Sequence, residues 1–108
     1  MAPQGVSPLR QRIGDVAPRL VDLTEQIVYG DLWERPELSK RDRSLITVAS
    51  LVTSARPDQL RTHLGRALDN GVTKEELVEL ITHLAIYAGW PAALSAAALA
   101  KEVFAERG

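Results

Sequence analysis

Apolar residues recur along this chain at helical spacing, and most of the recurrences are closed by a glycine or a proline. From Ala17 the series runs Leu20, Val21, Thr24, Ile27 and Val28, and Gly30 ends it. Pro18 falls where a first-turn proline is tolerated, so a helix is predicted from about Asp15. Leu45, Ile46, Val48, Ala49 and Val52 give a second face behind Ser39, whose hydroxyl suits an N-cap with Asp42 as the returning acid. Arg56-Pro57 breaks that helix, because the residue before proline avoids the helical region. A third helix is predicted over Asp58–Asn70, with Gly71 as a left-handed cap. Thr73-x-x-Glu76 is a capping box for a fourth helix, with Val72 and Leu77 placed as a hydrophobic staple. That helix stops at Gly89, and Pro91 opens an alanine-rich fifth whose small side chains let a neighbouring helix approach closely.

No segment alternates with a two-residue period, and no repeat is present. The fold class is therefore all-α with about five helices. Met1 to Gly14 carries Pro3, Gly5, Pro8 and Gly14 with little periodicity and reads as a flexible arm or docking tail. Residues 15–108 read as one helical domain. A chain of 108 residues buries a modest core and can leave apolar surface for other subunits.

Charge and composition exclude several functions. The formal charge of -1 and the absence of a basic stripe argue against a nucleic-acid partner. Lys40, Arg41 and Arg43 are interrupted by Asp42 and read as a solvated first helical turn. No run reaches the about 18 apolar residues of a membrane span, and no signal peptide opens the chain, so the expected location is cytoplasmic. With no cysteine, disulfides, thiolate zinc sites and cysteine nucleophiles are all excluded.

The remaining candidates for chemistry are few. His63 and His83 are the two histidines, both on predicted helices. His63 falls on the flank of the Leu60, Leu64, Ala67, Leu68 stripe. His83 and Tyr87, four apart, share the edge of the fourth helix, and Glu79 and Glu76 continue along it. A flank position can be partly desolvated and still reach a cleft, and histidine titrates near neutrality. A lone helical histidine is more often a hydrogen-bonded structural residue than a catalyst, and this holds for either position. The spacing is wrong for a metal site, and none is expected. Trp33 and Trp90 lie beside Gly30 and Pro91, where aromatics line pockets or cap a core. The glycines form neither a phosphate cradle nor a nucleophile elbow.

From Gly30 to Pro91 the chain carries RDRSL, then H-x-x-x-A-L-x-N-G-x-T-x-E-E-L, then H-L-A-x-Y-x-G-W-P. In order and spacing this resembles the carboxymuconolactone decarboxylase family, which shares its helical fold with the alkylhydroperoxidase D-like proteins. The resemblance implies one of two chemistries. The peroxidase branch uses Cys-x-x-Cys followed four residues later by His, with an upstream Glu. Laying that His on His63 puts Arg56 and Gln59 at the cysteine positions and Ser44 near the acid, so a thiol cycle cannot run.

The decarboxylase branch remains. Its reaction removes CO₂ from a carboxylated butenolide and needs no cofactor. By resemblance, His63 is the first proton-transfer candidate and His83 the second. Tyr87 is a hydrogen-bond donor, Arg43 a carboxylate anchor, and Trp33 and Trp90 are apolar walls. On the wheel Arg43 points away from its helix's apolar face, with Arg41 and Asp42 nearer to it, so a surface ion pair is the competing role. The resemblance further implies a homotrimer or homohexamer with sites near subunit boundaries. A non-catalytic oligomeric module that binds a small carboxylate or lactone is the alternative.

Overall fold

A computed structural model describes residues 7–107 and divides the chain into two compact units, Met1–Glu37 and Leu38–Gly108. The first unit holds α1 (Pro8–Ile13) and α2 (Pro18–Leu23), followed by a wider π-helical segment over Thr24–Tyr29 and a tight turn at Leu32–Glu34. Within the stretch expected as an arm, Pro8–Ile13 forms a short helix. The beginning of that stretch, residues 1–6, lies outside the described residues. Ser7 caps α1 by accepting from the Arg10 N–H. The Arg10 guanidinium then donates to Asp22 at 2.7 Å and to Glu25 at 2.8 Å. Ser7 Oγ also donates to Glu25, at 2.7 Å. These partners lie 12 to 18 residues away, so local periodicity could not show them.

The second unit is a four-helix arrangement of α3 (Lys40–Thr53), α4 (Pro57–Asp69), α5 (Lys74–Tyr87) and α6 (Trp90–Glu106). The expected punctuation is present. Ser39 accepts from the Asp42 N–H, and Thr73 with Glu76 closes both arms of the capping box. Pro57 and Pro91 fall in the first turns of α4 and α6. Gly71 and Gly89 take φ of 96° and 110°, a left-handed backbone that glycine adopts without steric cost.

The core runs through all four helices: Val48 and Val52, Leu60 and Leu64, Leu77 and Ile81, and Ala96 with Val103. Ala93, Ala96 and Ala100 are buried inside this unit, so part of the small-residue surface of α6 serves its own core. Helices α4 and α5 each pack against α3 and α6, which places them at opposite corners. Among the described residues no helix is long and apolar enough to cross a membrane.

Candidate active site

Side-chain bonds fix which way each flank of α4 faces. On one flank Arg61 donates to Glu106 of α6 at 3.0 Å, and Asp69 pairs with Arg107 just beyond α6. Gly65 lies between them, where an added Cβ would meet the Arg107 guanidinium at 3.2 Å. This flank faces α6. The other flank carries His63, Arg66 and Asn70, at i, i+3 and i+7. Asn70 Nδ2 donates to Ser44 Oγ at 3.0 Å, which ties this flank to the start of α3. Ser44 is fully buried, and a buried hydroxyl needs such a partner.

Helix α3 packs against α4. Arg41 turns toward α5, where it pairs with Glu76. Arg43 and Thr47, one turn apart, are half-buried on the opposite side. The Arg43 Nε and His63 Nδ1 atoms are both withdrawn from solvent. The orientation expected for Arg43 is thus corrected: Asp42 is exposed, whereas Arg43 is drawn inward. Ile46, taken as part of the apolar face, is 57% exposed. Ser44 occupies the centre of the face in its place, which rotates the buried side toward Arg43. Hydropathy alone could not show this, since Ser44 is polar and is satisfied by a residue 26 positions away.

Burial lowers the pKa of His63 below its ordinary value, and the nearby Arg66 cation lowers it further. Both effects favour the neutral imidazole. A neutral imidazole offers one N–H donor and one acceptor nitrogen.

The second histidine has different surroundings. His83 is exposed on α5, and its ring stacks on Tyr87 with centroids 4.8 Å apart. It faces away from the buried Leu77, Ile81 and Ala85 line rather than lying on its edge, a correction to the wheel. Tyr87 is 76% exposed and Trp90, which opens α6, 62%. Trp33, in the first unit, is half-buried and stacked on Tyr29 at 6.2 Å. The fold thus puts His63 and Arg66 on one flank of α4, with Arg43 half-buried on α3, and leaves His83, Tyr87 and Trp90 at another corner. Arg66 and Asn70 were missed in the sequence, although Arg66 stands one turn from His63 on the same face.

A separate cleft of about 550 Å³ opens where the end of α3 and the start of α4 meet α6. Leu51, Leu60, Ala96 and Leu99 make its wall apolar, with Arg56 and Glu102 among its polar groups. Neither histidine lines it. It offers apolar shelter rimmed by these few polar groups.

Comparison with known proteins extends these observations. The model of the carboxymuconolactone decarboxylase family matches residues 18–102. A 4-carboxymuconolactone decarboxylase of Acinetobacter baylyi is 41% identical over 98 residues, covering 91% of this chain and 73% of that protein. The nitrosuccinic acid decarboxylase npaB of Metarhizium robertsii is 33% identical over 75 residues, covering 69% of this chain and 52% of that protein. An uncharacterized 15.0 kDa protein in the nqo9-nqo10 intergenic region of Paracoccus denitrificans is 33% identical over 81 residues, covering 72% of this chain and 60% of that protein. The chain thus spans about half the length of the fungal relative.

Proposed function

Because this chain belongs to the carboxymuconolactone decarboxylase family, we propose that it is a carboxy-lyase that removes CO₂ from a small carboxylated lactone or keto acid, with His63 moving the proton. The observation that supports this best is the half-buried His63 on a flank of α4, one turn from Arg66, with its pKa lowered by burial. The names of the two decarboxylase relatives denote substrates of one chemical kind. Each carries two carboxylates, one of them positioned to feed electrons into an acceptor, the unsaturated lactone or the nitro group.

The reaction then needs no cofactor. When the C–C bond to the departing carboxylate breaks, its electron pair passes through the ring double bond into the lactone carbonyl, giving a dienolate and CO₂. The substrate is its own electron sink, so no pyridoxal or thiamine group has to supply one. Protonation at carbon completes the step, with the proton delivered by His63 after the imidazole has taken one from water. A dianionic substrate beside the imidazole offsets the Arg66 charge and restores its proton affinity. Arg43 anchors the substrate through a carboxylate, for which a planar guanidinium fork is suited.

His83, Tyr87, Trp90 and Trp33 take secondary parts in this reading, as donors and apolar walls. Ile86, Tyr87, Trp90 and Leu94 form an exposed apolar row at the α5–α6 corner. Such a row suits burial against a second copy, in a cytoplasmic homotrimer or homohexamer.

The test is direct. Purified protein is incubated with 4-carboxymuconolactone while CO₂ and the enol-lactone product are followed. Turnover that disappears in His63→Ala supports the assignment. No turnover by the unaltered protein, or equal turnover by the variant, overturns it. Binding without turnover would leave a non-catalytic module of the same fold.

A further inference from the structure

The cleft where the end of α3 and the start of α4 meet α6 has no part in the proton-transfer reading, since neither histidine lines it. Its volume of about 550 Å³ is that of a small-molecule site, and its walls are apolar, as in such sites. Two charged residues reach it, Arg56 and Glu102, and they are not equivalent. Glu102 lies 3.5 Å from Arg61, so its charge is balanced within the protein. The exposed Arg56 guanidinium has no hydrogen-bond or ion-pair partner among the described residues. The cleft therefore presents one uncompensated cation beside an apolar wall.

The backbone holds that cation at the cleft through a strained turn. Ala55, which also lines the cleft, has φ of 54°. An L-residue there meets a steric penalty that glycine escapes, and strained residues gather at ligand sites. The turn ends α3 and sets Arg56 directly before Pro57, whose ring fixes the first turn of α4. We propose that this cleft is a second binding site, separate from the His63 flank, for a small amphiphilic acid. Its apolar body lies along Leu51, Leu60 and Leu99, and its single carboxylate meets Arg56. A neutral molecule leaves the guanidinium unpaired, and a cation is repelled by it. A second carboxylate would be desolvated against the apolar wall without a partner.

Calorimetric titration of the full chain with octanoate, 1-octanol and octylammonium tests both halves of the site. Native protein binds octanoate about three- to tenfold more tightly than octanol, the size of a charge-assisted contact to an exposed guanidinium. Octylammonium binds most weakly. Arg56→Gln removes the difference between acid and alcohol by weakening octanoate alone, and Arg56→Lys keeps part of it. Ser95 and Ala98 line the cleft from exposed positions on α6, so a larger side chain at either fills it without entering the core. Ala98→Trp and Ser95→Trp should therefore weaken octanoate and octanol alike, by about tenfold or more, because the apolar body loses its place.

Circular dichroism identifies which cleft-filling variant is folded, and the Arg56 variants read the head-group preference should neither be. Equal binding of octanoate and octanol by the native protein overturns the proposal, as does an Arg56→Gln protein that keeps the native preference. So does a folded cleft-filling variant that binds octanoate as the native protein does, which would move the amphiphile to another apolar surface. Native protein that binds no octanoate overturns it too, and sedimentation showing that Ala98→Trp dissociates an assembly would then give the cleft to a second copy. Each outcome is independent of whether 4-carboxymuconolactone is turned over.

Discussion

The two histidines of this chain occupy helices at opposite corners of one four-helix unit, and their surroundings differ in every respect that bears on proton transfer. His63 is half-buried, and its pKa is lowered by burial and by Arg66. His83 is exposed and stacks on a tyrosine that is itself 76% exposed. A proton carrier works by having its affinity set by its surroundings and by reaching a place where a substrate can be held. The α4 flank supplies the first of these conditions, through burial and Arg66. The α5 corner supplies an aromatic surface, whose apolar neighbours Ile86 and Leu94 suit it to assembly.

The largest effect expected from this contrast is on turnover. His63→Ala should lower kcat/KM by about 100- to 10,000-fold, the contribution of a positioned general acid or base. His83→Ala should change it by about threefold or less, since an exposed side chain holds no fixed geometry against a substrate. Steady-state rates of CO₂ release on matched preparations decide it. Equal losses in the two variants would mean that the corners act as one site, for which an adjoining copy would have to bring them together.

The next effect concerns the bond that registers the His63 flank. Asn70→Ala removes the donor to a fully buried Ser44 hydroxyl, and an abandoned buried group costs about 1–3 kcal/mol. Ser44→Ala should cost less, because half-buried Asn70 can turn to water. Urea unfolding of both variants and of the double variant measures the coupling. A third effect belongs to the other corner. Thr73→Ala deletes the N-cap of α5 and should cost about 1 kcal/mol without changing activity.

Glu76 takes part in that cap, and its carboxyl is held below the ordinary range by the Thr73 N–H and then by Arg41. Its contribution is present above the ordinary carboxylate pKa of 4.5 and fades as the pH falls through the lowered value. Acid unfolding should therefore begin at higher pH in Glu76→Gln.

Much of the helical layout was legible because its signals are local. Ser39, Thr73, Gly71, Gly89, Pro57 and Pro91 each act within one turn of the chain, so their spacing states where helices begin and end. The misreadings share a cause of the opposite kind. Helix α1 is held by Arg10 reaching Asp22 in α2 and Glu25 in the segment after it. The face of α3 is centred on a serine that a hydropathy pattern discards. His83 was put at an edge because Leu80 and Leu84 widened the apolar stripe, although only Leu77, Ile81 and Ala85 are buried. For the site, histidine stands out by rarity and arginine does not. His63 is thus legible in the sequence, whereas the flank that Arg66 shares with it is defined only by the ion pairs of Arg61 and Asp69.

The smallest expected effect probes the surroundings of His63 directly. Its pKa in the folded state lies below the ordinary 6.5, so the unfolded chain binds more protons in the window between the two values. Stability must then rise with pH across that window, is fully present above 6.5, and is reduced once the pH falls below the folded value. Replacing the imidazole by a group that does not titrate removes this contribution. Urea midpoints of the native protein and of His63→Gln, measured from pH 7.5 down to about pH 5, should therefore approach one another as acid is added. The variant loses packing at every pH, so the informative quantity is the change in the gap. A gap that stays constant would mean that His63 is hydrated as freely in the folded state as in the unfolded one. The contrast with His83 would then rest on the arginines alone.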